Sequence, residues 1–351
     1  MRRESGVFDV NYVQDMKIFR TKYHVIGMIA LIAFFLSLPF FKNQFWLTFI
    51  NSTAVTIIAL QGLNILSGYC GQISIGHTAF MAVGAYSSTI LAAQFGLPLW
   101  FCMIIGALCA GLIGILFGLP SLRVKGYYLA LTTIAAQFII IYLIKTPFPE
   151  ITGGAIALQV PEFTLGGFKF ETETHFYYLI ITLLIMTTFF SKGVLRSKFG
   201  RAFIAIRDND IAAEAMGINL YKYKLLAFFL GCFYAGFAGA LWAAYARVIS
   251  PDDFTLMNSI WQMGMLIIGG LGSTLGPFFG ALFIKLLNEI CLVAGPFISS
   301  IIPQIGAQIS ASLVEMSFGV AIILFLAFEP RGIAHRWEIL KDSYRLWPFS
   351  Y

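Results

Sequence analysis

Lys285 and Glu289 stand four residues apart in an apolar stretch. On a helix that spacing puts them on one face, where they can pair. Charges inside an apolar segment belong either to an ion or proton relay or to a buried or interfacial ion pair, and the pair is the reading favoured here. Glu315, early in the last apolar segment, adds one more carboxylate. That is a thin supply for an ion-coupled carrier. The four histidines, His24, His77, His175 and His335, are too far apart in sequence to suggest a ligand set. The five cysteines lie in or beside apolar segments without a CxxC, as small buried apolar residues do. No HExxH or GxSxG is present, so hydrolase chemistry has no nucleophile or metal site to use. A phosphate-binding GxxxxGK[ST] is also missing; the chain has no Gly-Lys pair at all. Any ATP-driven work therefore needs an ATPase on another subunit.

The longest strongly polar interlude is 191–224, with seven Lys/Arg: Lys192, Arg196, Lys198, Arg201, Arg207, Lys222 and Lys224. Inside it stands the small-residue cluster Ala212-Ala213-Glu214-Ala215-Met216-Gly217. A short helix of small residues can approach another protein closely, and Gly217 is suited to stop it. The basic residues alone are explained by the Lys/Arg excess of cytoplasmic loops.

The elements that must carry these residues are membrane segments. The chain is 59% hydrophobic and 11% charged, against about 25% charged in soluble domains. Its net charge of +6 comes from residues between apolar runs, which argues against nucleic acid. A spanning helix needs about 20 apolar residues. Candidates are His24–Phe41, Phe45–Leu66, His77–Ala93, Pro98–Leu119, Gly126–Ile144, Phe176–Phe190, Tyr223–Arg247 and Ser310–Phe328, plus 256–270 and 277–294. About ten segments follow, and the N-terminus reads as retained rather than as a cleaved signal. With an even count, Arg2, Arg3, Lys17, Arg20, Lys22, Arg123, Lys125, the 191–224 loop and the tail residues Arg331, Arg336, Lys341 and Arg345 share one side. Both termini are then cytoplasmic. The organisation is 1–23 cytoplasmic, 24–328 membrane domain and 329–351 cytoplasmic tail.

Two glycine-rich breaks interrupt the apolar pattern. Residues 65–76 and 267–276 echo each other faintly, as internal repeats of transporters do near a substrate path. Gly71, Gln72, Ser74, Gly76, His77, Gly272 and Ser273, with Thr132 in the fifth segment, are the residues expected to line such a path. The competing reading is close helix packing by small residues, with polar side chains satisfying broken backbone.

Several blocks together resemble one family. Gly62–Phe80, Leu122–Thr133, Thr152-Gly153-Gly154 with Pro161, Ser197–Ala202, Ile206–Asn209 and Ala212–Gly217 are similar, in order, to the M-type permease subunits of branched-chain amino-acid ABC transporters. The resemblance runs from about Asn51 to Pro330. It implies an all-α ABC-importer permease fold and no cofactor of its own, ATP being bound by partner subunits. It also implies a bacterial inner-membrane location. The partners implied are a second homologous permease, two cytoplasmic ATPase subunits and a periplasmic solute-binding protein. By position, Ala212, Ala213, Glu214, Ala215 and Gly217 would form the coupling helix, flanked by Arg201 and Arg207. The long form of that pattern ends in a downstream proline, and this chain has none between 162 and 250. The solute implied is a branched-chain or related amino acid. Urea, short amides or other small solutes are the alternative within the family, and a stand-alone secondary carrier the alternative outside it.

Overall fold

The computed structural model describes Ile26, Pro39 and residues 43–121, 127–147, 149–165, 168–301 and 306–346. Apart from Ile26 and Pro39, the expected first segment His24–Phe41 lies outside this set, as do the N-terminal basic residues and Arg123 and Lys125.

Helix α1 (Gln44–Leu63) begins at Asn43, whose side chain accepts from the Phe45 amide at 3.2 Å. It is buried almost all round over its second half and runs on as a π-helical turn, Asn64–Tyr69. After a break come α2 (His77–Phe95), α3 (Leu99–Ser121) and α4 (Tyr127–Lys145). A loop with the short strands β1 (Leu158–Gln159), β2 (Thr164–Leu165) and β3 (Phe168–Lys169) leads to α5 (Glu173–Arg196). Lys169 donates to Glu162 at 2.7 Å on this exposed loop, and its ammonium holds the Glu162 carboxyl below the usual carboxylate range. Two short helices follow, α6 (Lys198–Asp208) and α7 (Asp210–Ala215), then the long α8 (Leu220–Ala246). Strand β4 (Val248–Ile249) pairs antiparallel with β1 and ties the two loops of that end together. The rest is α9 (Leu256–Gly269), α10 (Gly276–Ile301), α11 (Gly306–Phe328) and α12 (Ile333–Leu346).

Helix α8 is the centre, packed against α1, α2 and α3. Small residues make that possible. A Cβ on Gly84 would collide with the Gly236 carbonyl, and one on Gly239 with the Met81 carbonyl. At Gly62 it would lie 2.5 Å from the Tyr234 Cβ. Lipid tails are as apolar as leucine, so such backbone approach, not hydrophobic exclusion, holds membrane helices together.

Among the described residues, six helical spans are long and apolar enough to cross a membrane: Gln44–Tyr69, Leu99–Leu119, Tyr128–Lys145, Glu173–Arg196, Leu220–Ala246 and Gly276–Gly295. Ser312–Phe328 and Ile333–Ser343, bent by 45° at their junction, make a seventh if taken as one span. The expected count of ten is therefore not reached among the described residues. Helix α9 has 14 residues, about 21 Å at the helical rise, short of a hydrocarbon core of about 30 Å. Helix α2 is long enough but carries His77, Thr78, Ser87, Ser88 and Thr89, and it buries most of its length in protein. Both are helices, as the apolar pattern indicated, and both are shielded by neighbours.

Candidate functional site

The polar breaks at 70–76 and 270–275 meet in space. Asn64, in the π-helical turn, donates through Nδ2 to the Ser273 carbonyl at 2.7 Å. Its Oδ1 accepts from the Gly272 amide at 2.9 Å. One side chain thus satisfies a donor and an acceptor of the other break. Gly68 is equally constrained: a Cβ there would come 2.5 Å from the Gly272 amide nitrogen. Gly71 and Gly272 both take φ of +73°, which only glycine adopts without strain.

Broken backbone in an apolar setting costs several kcal/mol per unpaired group. Here several of the groups are paired internally. Gln72 N donates to Leu66 O at 3.1 Å, Ser67 Oγ to Gln72 O at 2.9 Å, and Ile75 N to Thr133 Oγ1 at 3.0 Å. The start of α2 has no side-chain cap from Gly76; only the Gly76 carbonyl accepts from the Ala79 amide, at 3.3 Å. The helix start takes its side-chain caps from two other helices: Thr78 N donates to Ser259 Oγ at 3.0 Å, and Ala79 N to Gln137 Oε1 at 2.9 Å. Gln137 Nε2 then donates to Phe254 O at 2.6 Å. Gln137 and Ser259 are buried, and together they fix α2, α4 and α9 around one helix start.

Arg207 joins this region to the 191–224 stretch. Its Nη1 donates to the Gly68 carbonyl at 3.2 Å, and Nε and Nη2 hold Asp208 Oδ1 at 3.0 and 2.9 Å. A Cβ on Gly272 would lie 2.7 Å from Nη1, and one on Gly71 3.0 Å from Arg207 Cγ, so the side chain lies against both breaks. Helix α6 presents it: Ser197 caps the helix, and Phe203 and Ile206 bury its apolar face.

Helix α7 starts two residues before the expected Ala212, because Asn209 is its cap and accepts from the Ala212 amide at 3.0 Å. It ends as the sequence suggested. Gly217 has φ of +84°, with Gly217 N bonded to Glu214 O at 2.9 Å and Ile218 N to Ala213 O at 3.0 Å. These are the two bonds of a glycine-terminated helix end. Ala213 is buried against the protein, whereas Ala212, Glu214 and Ala215 are exposed. Ile211 and Met216 are 72% and 85% exposed, unusual for large apolar side chains. Asp210 and Lys224, 3.8 Å apart, link α7 to α8. Arg201 is exposed and donates to Arg196 O at 3.2 Å.

Of the expected path residues, Gln72, Ser74, Gly76 and His77 are buried around the joint. Gly71 is exposed there, and Gly272 and Ser273 are half-buried. Thr132 is half-buried and bonds back to Leu129 O at 2.7 Å, away from the joint contacts. A separate cavity of about 300 Å³ opens among α1, α2, α8, α9, α10 and α11 beside the 251–254 turn; none of those residues lines it, but Thr78, a further polar residue of the first glycine-rich segment, does. Lys285 lines that cavity, and it forms no ion pair with Glu289 within 4.0 Å among the described residues. The sequence reading missed Asn64, Ser259 and the reach of Arg207. The only signal for Asn64 was an amide just before a glycine cluster.

A family model described as branched-chain amino acid transport system / permease component matches residues 26–328. The high-affinity branched-chain amino acid transport system permease protein LivM of Escherichia coli is 31% identical over 288 residues, covering 75% of this chain and 67% of that protein. The probable branched-chain amino acid transport permease protein LivM of Methanocaldococcus jannaschii is 26% identical over 239 residues, 66% of each chain. The nucleoside ABC transporter permease protein NupC of Lactococcus lactis is 24% identical over 303 residues, 79% of this chain and 89% of that one. No solved structure matches. Its membrane-length helices and the extent of these matches make this chain a multi-pass membrane protein of the branched-chain amino acid transport permease family.

Proposed function

We propose that this chain is the permease subunit of an ATP-driven importer for branched-chain or related apolar amino acids. It works beside a second permease of the same kind, with two ATPase subunits on the cytoplasmic side and a solute-binding protein on the other. In this reading the chain sits in the cytoplasmic membrane, with about ten segments and both termini inside. Residues 1–23 and 329–351 flank a membrane domain at 24–328.

The observation that carries the reading is helix α7. It ends in a tight glycine stop and projects Ile211, Glu214 and Met216 into solvent. A lone apolar pair on a rigid short helix suits a groove on another protein, and Ala212 and Ala215 leave room for close approach. Movement of α7 reaches the membrane helices by two routes. One is the Asp210–Lys224 link to α8, and the other is Arg207 against the glycine breaks. The breaks then act as the hinge at which the solute path opens. Gly71, Gln72, Ser74, Gly76, His77, Gly272 and Ser273 belong to that hinge, and Thr132 stands on the neighbouring helix. Such a hinge changes between discrete packed states.

The test is copurification. With Ile211→Glu and Met216→Glu, the ATPase subunit should be lost from the purified complex while the permease still inserts. Normal ATPase recovery and normal leucine uptake would sink the docking role. A second reading, a nucleoside permease, is favoured by the likeness to NupC over most of both chains. Uptake of labelled leucine against labelled uridine by the intact system separates the two.

A further inference from the structure

The cavity beside the 251–254 turn holds charges that the hinge does not use. Among the described residues, Lys285 is its one cationic lining residue and Asp253 its one anionic one. The Lys285 ammonium has no hydrogen bond or ion pair among the described residues, although it sits in the apolar span Gly276–Gly295. Glu289 lies one turn away but beyond ion-pair distance. A cation within a membrane segment that feels a carboxylate only at longer range, with no close ion pair, is costly, and such residues mark substrate or ion pathways.

The remaining wall carries the hydroxyls of Thr56 and Thr78, the amide of Asn258 near the 251–254 turn, and two further kinds of surface. Neutral amides come from Asn288 and Gln262; Gln262 is buried, its Nε2 faces Met81 Sδ at 3.1 Å, and its Oε1 has no partner. Apolar surface comes from Trp242, Trp261 and aliphatic neighbours, and Trp261 is fixed by stacking on Phe318 at 4.0 Å between ring centres. Asp253 gives one carboxylate oxygen to the Ser250 amide at 2.8 Å and is exposed at the mouth. A volume of about 300 Å³ is at the small end for ligand sites, right for one small solute rather than a peptide.

We propose that this cavity is a solute-binding site in which Lys285 takes the carboxylate of an α-amino acid, Asp253 faces its ammonium, and the indole and aliphatic wall takes its hydrocarbon side chain. A nucleoside would leave Lys285 without a counter-charge. This rests on the importer reading above, and it adds the residues and charge pattern of the site.

The test uses the complete permease–ATPase complex without binding protein, and measures binding of labelled L-leucine. The competitors are 4-methylpentanoate, which lacks the ammonium, and L-leucinamide, which lacks the carboxylate. Wild type should bind leucine saturably, and 4-methylpentanoate should compete better than leucinamide. Lys285→Met should weaken leucine binding about tenfold or more, as expected for a lost charge-assisted contact, and Lys285→Arg should restore most of it. Asp253→Asn should weaken leucine but leave 4-methylpentanoate unchanged. Equal competition by the two analogues, or Lys285→Met binding like wild type, overturns the proposal. So does loss of the partner permease from Lys285→Met, which would make Lys285 an interface residue. A wild-type complex that transports leucine but shows no saturable binding overturns the site alone. A wild-type system that transports no amino acid overturns the importer reading itself.

Discussion

Arg207→Ala removes the contact that holds helix α6 to the first glycine break. The guanidinium spends Nη1 on the Gly68 carbonyl and its other two donor nitrogens on Asp208. A hydrogen bond from a charged donor contributes about 1.5–3 kcal/mol. Here the side chain is 37% exposed, so solvent competes and the low end, about 1.5 kcal/mol, applies. Every 1.4 kcal/mol is about tenfold in an equilibrium, so the joint should open about ten times more often. The chain has its own reporter: Cys70, buried with a free thiol between Tyr69 and Gly71. With Cys102, Cys109, Cys232 and Cys291 replaced, the rate at which a small permeant maleimide labels Cys70 reads that opening. Arg207→Ala should raise the rate about tenfold. Arg207→Lys should fall between, because a single ammonium cannot span Gly68 and Asp208 with the planar fork of arginine. An unchanged rate in Arg207→Ala would refute the clamp, and with it the route from α6 to the breaks.

Gln137→Leu removes the Phe254 carbonyl's partner, about 1–3 kcal/mol, and leaves the Ala79 amide only its longer bond to Gly76 O, so it should lower the melting temperature of the purified protein clearly more than Thr132→Val. Gly84→Leu should abolish folded protein in membranes, since even a Cβ there meets the Gly236 carbonyl; size-exclusion profiles in mild detergent report it. Gly217→Ala meets no neighbour within 4 Å, so its cost is the left-handed backbone alone, about 1 kcal/mol; Gly217→Asn should cost less, and leucine-dependent ATP hydrolysis ranks the three. Lys145 and Asp252 pair at 2.8 Å but Asp252 is 75% exposed, so a double-mutant cycle in thermal stability should give a coupling under about 1 kcal/mol.

Much of this protein was legible along the chain. Apolar runs of membrane length marked the helices, because lipid demands long unbroken hydrocarbon-facing segments. The stop at Gly217 was readable because a helix end of that kind is a local event settled by neighbours in sequence. The ordered blocks from Gly62 to Gly217 pointed to the family that the matches then gave. Other features could not be read locally. Asn64 reaches Ser273 across 209 positions, and Thr78 reaches Ser259 across 181. Whether a buried amide bonds to its own helix or to a distant one depends on what the fold brings alongside. The same holds for Lys285. Its sequence neighbour Glu289 suggested a pair four residues apart, yet side-chain direction in the packed bundle turns Lys285 to the cavity instead. The chain by itself determined the elements, their polarity and the family. Tertiary structure alone decided that the two glycine breaks form one joint, that Arg207 leans on it, and that a lone lysine faces a cavity. Those outcomes depend on contacts between residues far apart in sequence, whose partners no local pattern specifies.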